Sequence, residues 1–461
     1  MRRLGTPMPS VLFRFAASID TAASSVRIGA SPRHSPSIRS SSSTAPARRL
    51  RNAPGRQTGC IRSTTQEETS MQKQHATPKP PRQSIRRACV LAALACTSHA
   101  GAAEFQAGDW TLTVGGNINA FYTTNSCSGD NIGGLALGSR ALACGGKDNS
   151  TVIGNGLLPS YLSVGAKSRQ DEYDVAALIG IGAAAATGDA ISQNNVVDVR
   201  QAYLTFGNSS MGTVKLGRDY GLYGYNAIIN DMTLLGVGAA TRATQRGRVS
   251  LGHIGAGYAY VGTYGQFVYT TPSFSGLSVD VAVMSPVDQQ PVIGVPDYTA
   301  KNTPQFQGRV NFGTDQYKLW LGGKSQRMED TAGNSLNMAA VEVGGSVNVG
   351  RFGLLANYQT GKGLGILSDA DQGDVRTSAY LVQGTYKATD RIKLGLGYGQ
   401  SRNRDNPGTG LKSNANLTAG LYYSLTKSIT LVAEIGETRS KSFDGLSARQ
   451  RGGALGGILL F

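Results

Sequence analysis

A strict two-residue alternation of apolar with small or polar side chains is the feature that most constrains the fold of this chain. In residues 392–399 every second side chain is apolar, namely Ile392, Leu394, Leu396 and Tyr398. Residues 416–424 and 429–435 repeat the alternation. Because successive side chains of a β-strand point to opposite faces, each segment has one apolar face and one small or polar face. The pattern predicts an all-β fold.

The way these segments are joined favours a transmembrane barrel over a soluble β-sandwich. Short turns such as 388–391 alternate with long Gly- and Asp-containing loops such as 402–414. Tyrosines, whose amphipathic rings suit a membrane–water boundary, recur near the predicted strand ends at Tyr161, Tyr173, Tyr317, Tyr358, Tyr386 and Tyr398. No stretch of residues 104–461 has the roughly 20 apolar residues that a membrane-spanning helix needs, so a closed antiparallel sheet is the remaining membrane-spanning form.

The alternation and its turns predict sixteen strands, and an even number places both chain ends on the same side of the barrel. The predicted strands are 108–123, 159–168, 173–186, 196–207, 212–220, 265–271, 277–285, 305–313, 316–325, 339–349, 352–360, 376–387, 392–402, 415–424, 429–439 and 449–461. The alanine-rich segment 174–186 also fits a helix. The longest gap, residues 221–264, is predicted to be a functional third loop that folds inward and narrows a water-filled lumen.

The basic charge of the chain is concentrated at its N-terminus and does not indicate a nucleic-acid partner. Of 45 Lys/Arg and 29 Asp/Glu, residues 1–103 hold 16 and 3, which leaves residues 104–461 close to neutral. Within residues 71–103, basic residues precede the apolar run 88–96 and then small residues, the order of a cleaved secretory signal peptide. Residues 1–70 are predicted to be an extension upstream of the true start at Met71, although their composition also resembles an organellar transit peptide.

Cysteine usage agrees with export. Cys60, Cys89 and Cys96 lie in the part expected to be removed, which leaves Cys127 and Cys144 in a Gly-rich loop. In an oxidising compartment these two thiols are predicted to form one disulfide bond.

The segment around the third loop resembles a known family. Residues 198–221, DVRQAYLTFGNSSMGTVKLGRDYG, resemble the strand-turn-strand that leads into the constriction loop of Gram-negative general porins. Residues 252–260 and 264–283 look like the end of that loop and the next hairpin, and Phe461 is similar to the aromatic C-terminus that barrel-assembly machinery recognises. The resemblance implies a homotrimeric porin of sixteen strands in the outer membrane of a Gram-negative bacterium. It would contact membrane lipid and lipopolysaccharide and pass ions and small hydrophilic solutes without a cofactor.

Basic residues on the lumen face would line the constriction. If Val199, Tyr203 and Thr205 face lipid, alternation turns Arg200 inward, and Lys167 and Lys215 fall on the lumen faces of their strands. They resemble the basic cluster of the family, with Arg218 beside the loop entrance and Asp231 on the acidic side. For each arginine, an ordinary solvated position remains the alternative.

The third loop departs from the family pattern in its charges. Asp231 is its one acid, whereas Arg242, Arg246 and Arg248 are basic, and Ser163 stands where many relatives have a basic wall residue. Fewer acids should weaken cation preference, so the sequence predicts weak to moderate anion selectivity.

The remaining motifs do not point to catalysis or to a metal. Gly180, Gly182 and Ala185 fit a dinucleotide-binding pattern, but small residues that pack within a strand are the favoured interpretation. Asp369, Asp371 and Asp374 could hold calcium, yet an exposed polar loop is favoured. His253, the one histidine of residues 104–461, lacks a recognisable nucleophile, so an enzyme is not expected. A substrate-selective channel, and a non-conducting adhesin or barrel enzyme, remain the alternatives.

Overall fold

The computed structural model of this chain describes residues 102–183, 185, 197–240 and 250–461. Within these ranges the chain forms nineteen strands, two short α-helices and one 3₁₀ helix, and no helix there is long and apolar enough for a membrane span. The predicted N-terminal extension 1–70 lies outside the described residues, as does the predicted signal peptide up to residue 101.

The strands are numbered in chain order, and their bounds are given first for the N-terminal half. They are β1 Ala103–Ala107, β2 Trp110–Gly129, β3 Asn149–Gly154, β4 Ser160–Gln170, β5 Tyr173–Ala183, β6 Asp198–Asn208, β7 Gly212–Tyr220, β8 Thr263–Thr270 and β9 Leu277–Met284. The others are β10 Tyr298–Ala300, β11 Gln305–Gly313, β12 Tyr317–Asp330, β13 Ser335–Val349, β14 Phe352–Lys362, β15 Arg376–Lys387, β16 Ile392–Asn403, β17 Leu411–Ser424, β18 Ile429–Ser442 and β19 Ser447–Leu460. The helices are α1 Arg140–Cys144, α2 Tyr225–Asn230 and the 3₁₀ helix Met232–Leu235.

Sixteen of these strands form one closed antiparallel barrel, as the sequence predicts. Successive strands pair along the chain, and β19 pairs with β2, with Leu455 opposite Tyr122, which closes the ring. The other three strands are additions. β1 pairs with the first residues of β2, β3 with the second half of β2, and β10 with the end of β12.

Short turns lie at one end of the barrel and long loops at the other. Turns 388–391 and 425–428 lie at the end that also holds Phe461, whose backbone exchanges hydrogen bonds with Gly116 in β2. We call this the turn end and the opposite one the loop end. The loop end carries residues 221–262, called loop 3, and residues 363–375, called loop 6.

Apolar side chains cover the outside of the barrel. On β18 and β15 the outward residues Ile435 and Val382 are 70% and 53% exposed, whereas their inward neighbours Glu434 and Gln383 are buried. An apolar exterior around a polar interior is the arrangement that suits strands in contact with hydrocarbon. The alternation in the sequence therefore predicts the two faces of these strands correctly.

The structure differs from the sequence prediction mainly at the loop end. β2 continues to Gly129, whereas the sequence predicts that it ends at 123. The prediction stopped short because the outward residues beyond Tyr122 are Thr124, Ser126 and Ser128, so the apolar alternation ends before the strand does. β3 and β10 were not predicted. The described part of 174–186 is strand β5, so the helical alternative is wrong there.

The loop that follows β2 folds back into the loop end of the barrel. Cys127 in β2 and Cys144 in α1 form the predicted disulfide bond. The backbone N–H of Leu137 donates to the side chain of Asn414 at 3.1 Å, and that of Gly138 donates to Ser440 Oγ at 2.8 Å. This loop is thus held against the inner faces of β17 and β18.

Candidate functional site

Loop 3 is anchored by its backbone to side chains on the inner wall. The N–H groups of Leu222 and Gly224 donate to Gln307 Oε1 at 2.8 Å and to Glu342 Oε1 at 2.9 Å. Further along the loop, the N–H of Met232 donates to Gln383 Oε1 at 2.9 Å.

The last anchor of this kind is Glu434 on β18, whose Oε2 accepts the N–H groups of Val237 and Gly238, each at 2.8 Å. The accepting residues on β11, β13, β15 and β18 are spread over the wall, so loop 3 runs across the lumen from β11 to β18.

Apolar packing fixes loop 3 against one side of the barrel. Trp320, Leu355 and Leu381 point inward from β12, β14 and β15 and are buried against loop 3 residues that include Ile254 and Tyr258. Burying a side chain of this size contributes on the order of 1.5–3 kcal/mol. Apolar residues inside the barrel therefore serve to hold the loop.

Asp231 is enclosed within loop 3. Its carboxylate accepts the N–H of Thr233 at 2.9 Å and the hydroxyl of Tyr258 at 2.7 Å, and Oδ1 lies 3.0 Å from His253 Nδ1. Burial opposes ionisation, but the charge and hydrogen bond of His253 together with the other donors outweigh it and hold the pKa of Asp231 below its usual value. The sequence predicts Asp231 as the acidic side of a constriction. In the structure the carboxylate is buried instead, and it makes its hydrogen bonds inside loop 3.

The part of the lumen that the described residues of loop 3 do not cover lies beside β4 to β7. Inward side chains there, such as Tyr161, Tyr203 and Lys215, are half-buried, whereas inward side chains under loop 3 are buried. Half-buried Ile228 and Leu234 of loop 3 pack against the apolar cluster around Trp320. We call the space between this wall and loop 3 the eyelet.

Arg200 reaches the edge of loop 3 from β6. Its Nε donates to Asp198 Oδ2 at 2.6 Å, and Nη1 donates to the hydroxyl of Tyr260 at 3.0 Å. Arg200 is the extra residue of a β-bulge, because Gly180 on β5 pairs with Gln201 while Ile181 pairs with Val199.

The bulge also corrects a sequence-based assignment. It shifts the alternation of β6 by one residue, so Tyr203 and Thr205 face the lumen, whereas the sequence predicts that they face lipid. Leu204 is the exposed outward residue between them. The prediction assumed an unbroken two-residue alternation, so it gives the correct face for Val199 and Arg200 but the wrong face for Tyr203 and Thr205.

The other predicted basic residues differ in their partners and in the face they occupy. Lys215 faces the lumen and pairs with Asp219. Lys167 lies in the same row of paired residues, through Ala176 and Thr205, and pairs with Glu104 on β1 at 2.7 Å. Arg218 is exposed on the outward side of β7, where it donates to the backbone oxygen of Val199 and to Thr263 Oγ1. Arg242, Arg246 and Arg248 lie outside the described residues.

Several charged side chains of the inner wall were not singled out from the sequence. Arg309 on β11 donates from Nε and Nη2 to one oxygen of Asp280 on β9, Oδ2, at 2.9 and 2.7 Å. Lys324 on β12 forms a buried ion pair with Asp369 of loop 6. The alternation along each strand was the available signal, because it places Arg309 and Lys324 on the inward face. Their acidic partners come from distant parts of the chain, so the pairs themselves could not be predicted.

Asp371 stabilises loop 6 from within. The carboxylate of Asp371 accepts the N–H groups of Ile366, Leu367 and Ser368 at 2.7–2.8 Å. Burial raises the pKa of Asp371 to about 6, against the lowering effect of these donors. Asp369 and Asp371 are buried, so the predicted exposed polar loop is wrong for them, and the part of the chain that the structure describes contains no cluster of acidic, His or Cys residues suited to a metal ion.

The glycine pattern of β5 has a packing role. The ring of Tyr161 lies across Gly180, where a Cβ atom would collide with the phenol oxygen. Tyr161 thereby reaches Gln201 and donates its hydroxyl proton to Gln201 Oε1 at 2.6 Å. This geometry supports the packing interpretation of Gly180 over the dinucleotide pattern.

A sixteen-stranded barrel with an apolar exterior and a loop drawn across a partly solvated lumen defines an outer-membrane channel for small solutes. The chain belongs to the Gram-negative porin family, which it matches over residues 88–442. None of the curated protein sequences compared with the chain matches it.

Solved porin structures share this fold. The outer membrane channel DcaP of Acinetobacter baumannii superimposes with a TM-score of 0.59 at 17% identity, covering 78% of this chain and 100% of that chain. The anion-selective porin from Comamonas acidovorans gives 0.54 at 16% identity, covering 76% and 100%. OmpF of Salmonella typhi, in complex with daunomycin, gives 0.52 at 14% identity, covering 77% and 100%. At these identities the likeness concerns the fold.

Proposed function

We propose that this porin is a general-diffusion channel with a weak preference for anions. The observation that carries the proposal is the enclosure of Asp231, because it is the one acid in the sequence of loop 3 and its carboxylate is buried inside the loop. Loop 3 then offers no carboxylate to the eyelet, while the wall supplies Arg200 and Lys215. These cations have acidic partners in Asp198 and Asp219, so the preference is weak.

A reversal potential tests this selectivity. Purified protein is placed in a planar lipid bilayer between solutions of high and low KCl, and the voltage of zero current is measured. We expect a potential of the sign that chloride permeation produces, modest in size. A potential of the opposite sign would show cation preference and would refute the assignment. As a check on its basis, Lys215→Gln should move the potential toward zero.

The mature protein is proposed to begin near Glu104. The support is the order of basic, apolar and small residues over 71–103, with residues 1–70 lying upstream of the start at Met71. Mass spectrometry of the protein extracted from outer membranes tests both boundaries. A peptide from residues 1–70 would contradict the proposed start, and one from residues 72–95 would contradict cleavage.

We further propose a homotrimer that is inserted by the barrel-assembly machinery and surrounded by lipopolysaccharide. The family resemblance supports the trimer, and the C-terminal Phe461 supports recognition by the machinery. On the outward faces of β18 and β19, Arg451 and Arg439 both contact Glu437, and this basic group suits lipid phosphates. Electrophoresis of unheated and heated samples tests the trimer, and Phe461→Ala tests assembly through the amount of folded protein in the outer membrane.

Transport rather than catalysis is the proposed activity. His253 is the one histidine of the mature sequence, and its ring is buried in loop 3 with Nδ1 held by Asp231. A general base has to reach a substrate proton, which this position does not allow. Esterase and protease assays of the purified barrel should therefore give the background rate.

A further inference from the structure

Cations lie over tyrosine rings three times around the lumen beside β4 to β11. The Arg200 guanidinium carbon lies 5.9 Å from the ring centre of Tyr260, and Lys215 Nζ lies 5.4 Å from that of Tyr203. Arg309 on β11 repeats the arrangement over Tyr225 of α2, also at 5.4 Å. Charged side chains are sufficient for an ordinary water-filled constriction. The repeated pairing of a cation with a tyrosine ring face therefore points to a role in binding.

The site around Lys215 is built from a continuous hydrogen-bond chain. The Tyr161 hydroxyl donates to Gln201 Oε1 at 2.6 Å, and Gln201 Nε2 donates to Asp219 Oδ1 at 2.8 Å. The other carboxylate oxygen of Asp219 pairs with Lys215, whose ammonium lies over Tyr203. Gln201 and Asp219 are buried, and they hold the Tyr161 hydroxyl and the Lys215 ammonium in place.

The cations face the lumen more than their acidic partners do. The side chain of Lys215 is 21% exposed and that of Asp219 is 5% exposed, and the values for Arg309 and Asp280 are 13% and 6%. A solute in the eyelet therefore meets the cation before the carboxylate. Arg200 differs, because its partner Asp198 is the more exposed of the pair. Lys215 is thus the better anion contact.

The described part of loop 3 presents no carboxylate to the eyelet, because Asp231 is buried inside the loop. A solute that passes along the tyrosine wall is favoured if it has a flat apolar body, because ring faces attract aromatic edges and faces beyond simple area burial.

Resting on the proposed channel function, we propose that the eyelet binds and passes small aromatic carboxylates. The carboxylate contacts the Lys215 ammonium, and the ring lies against the tyrosine wall formed by Tyr203 and Tyr161. The Arg309–Tyr225 pair supplies a second contact of the same chemistry. Binding is weak enough for release, because the lysine keeps its partner Asp219 throughout.

Current block by benzoate tests the proposal. Single channels are recorded in KCl with benzoate, acetate or benzyl alcohol added, so that ring and charge are varied separately. We expect concentration-dependent interruptions with benzoate, at least about fivefold weaker effects with acetate, and the same for the uncharged alcohol. Equal effects of benzoate and acetate would overturn the ring contact, and equal effects of benzoate and benzyl alcohol would overturn the charge contact.

Variants assign the effect to the site. Tyr203→Leu should weaken benzoate block about fivefold, whereas Tyr203→Phe, which keeps the ring face, should retain it. Tyr358→Leu, on the outward face of β14, is the matched control and should behave as the wild type. Lys215→Gln should weaken block and Lys215→Arg should restore it, and both variants are first checked for folding by heat-modifiable electrophoresis.

The two proposals fail in different ways. If bilayers with folded protein carry no current, the channel function itself fails. If they conduct but Tyr203→Leu leaves benzoate block unchanged, the general-diffusion channel stands and the aromatic carboxylate site is refuted.

Discussion

His253 Nδ1 lies 3.0 Å from Asp231 Oδ1 inside loop 3, and neither side chain is reached by solvent. The two residues are 22 positions apart in the chain, so the contact joins two separate parts of loop 3. The carboxylate also caps the 3₁₀ helix through the N–H of Thr233. Asp231 therefore stabilises loop 3 from within, in addition to the side chains of the wall that anchor it.

Asp231→Asn should loosen loop 3 without unfolding the barrel. The amide has the same shape but replaces an oxygen acceptor with a donor and removes the charge-assisted bonds, at a cost of about 2–3 kcal/mol. We expect noisier open-channel current with frequent partial closures. Asp390→Asn, in the exposed turn 388–391, is the matched control. Current as quiet as in the wild type would show that the buried carboxylate of Asp231 is not needed to keep loop 3 rigid.

Lys324→Ala should release loop 6. It leaves Asp369 buried without its cation, and breaking a buried pair in this way costs about 3–5 kcal/mol. Cysteine placed at Ser368 should then react faster with a soluble thiol reagent. The double variant Lys324→Met/Asp369→Leu should restore slow labelling, because it removes both charges. Equal labelling of the wild type, the single variant and the double variant would show that the Lys324–Asp369 pair does not hold loop 6.

Docking of loop 6 should weaken as pH rises through the pKa of Asp371. Burial raises this pKa from 3.8 to about 6, so the folded loop binds the proton more tightly than the free chain does. Stability is fully present below 3.8 and is lost as pH approaches and passes about 6. Hydrogen exchange at Leu367 and Ser368, corrected for intrinsic pH dependence, measures it. Asp371→Asn should abolish the dependence, and unchanged dependence in that variant would refute the assignment.

Neighbouring positions on β6 test the register that the bulge sets. Leu204→Arg places a charge on the lipid face and should reduce stability by about 2–4 kcal/mol if it lies near the membrane midplane. Thr205→Arg places the same side chain in the lumen and should be tolerated. Urea unfolding in detergent-free lipid vesicles compares the two. If Thr205→Arg were the less stable of the two variants, β6 would have the regular alternation without a bulge.

The barrel was predictable because its signal is local and repeated. Each strand places apolar residues such as Leu394 and Leu396 on one face, and strand number, all-β class and chain-end placement follow from counting such segments. The disulfide between Cys127 and Cys144 was predictable for a similar reason, since exported chains seldom keep two nearby thiols reduced. Polar strand ends such as that of β2 were missed because lipid contact ends before the strand does.

The inner surface of the barrel was far less predictable. Alternation indicates that Arg200 and Lys215 point inward, but it does not register the bulge that turns Tyr203 inward with them. The family resemblance assigns Asp231 to the acidic side of the constriction, because no sequence pattern shows that His253 and Tyr258 surround its carboxylate.

The amino-acid sequence alone determined that this chain is a sixteen-stranded barrel with an apolar exterior, because contact with hydrocarbon imposes a requirement on every second residue of every strand. Only the tertiary structure decided which inward residues meet solvent and which support loop 3. That outcome depends on contacts such as Gln383 with Met232 and Lys324 with Asp369, between residues far apart in the chain. Pairings of this kind arise when the closed sheet and its loops come together, and no local pattern encodes them.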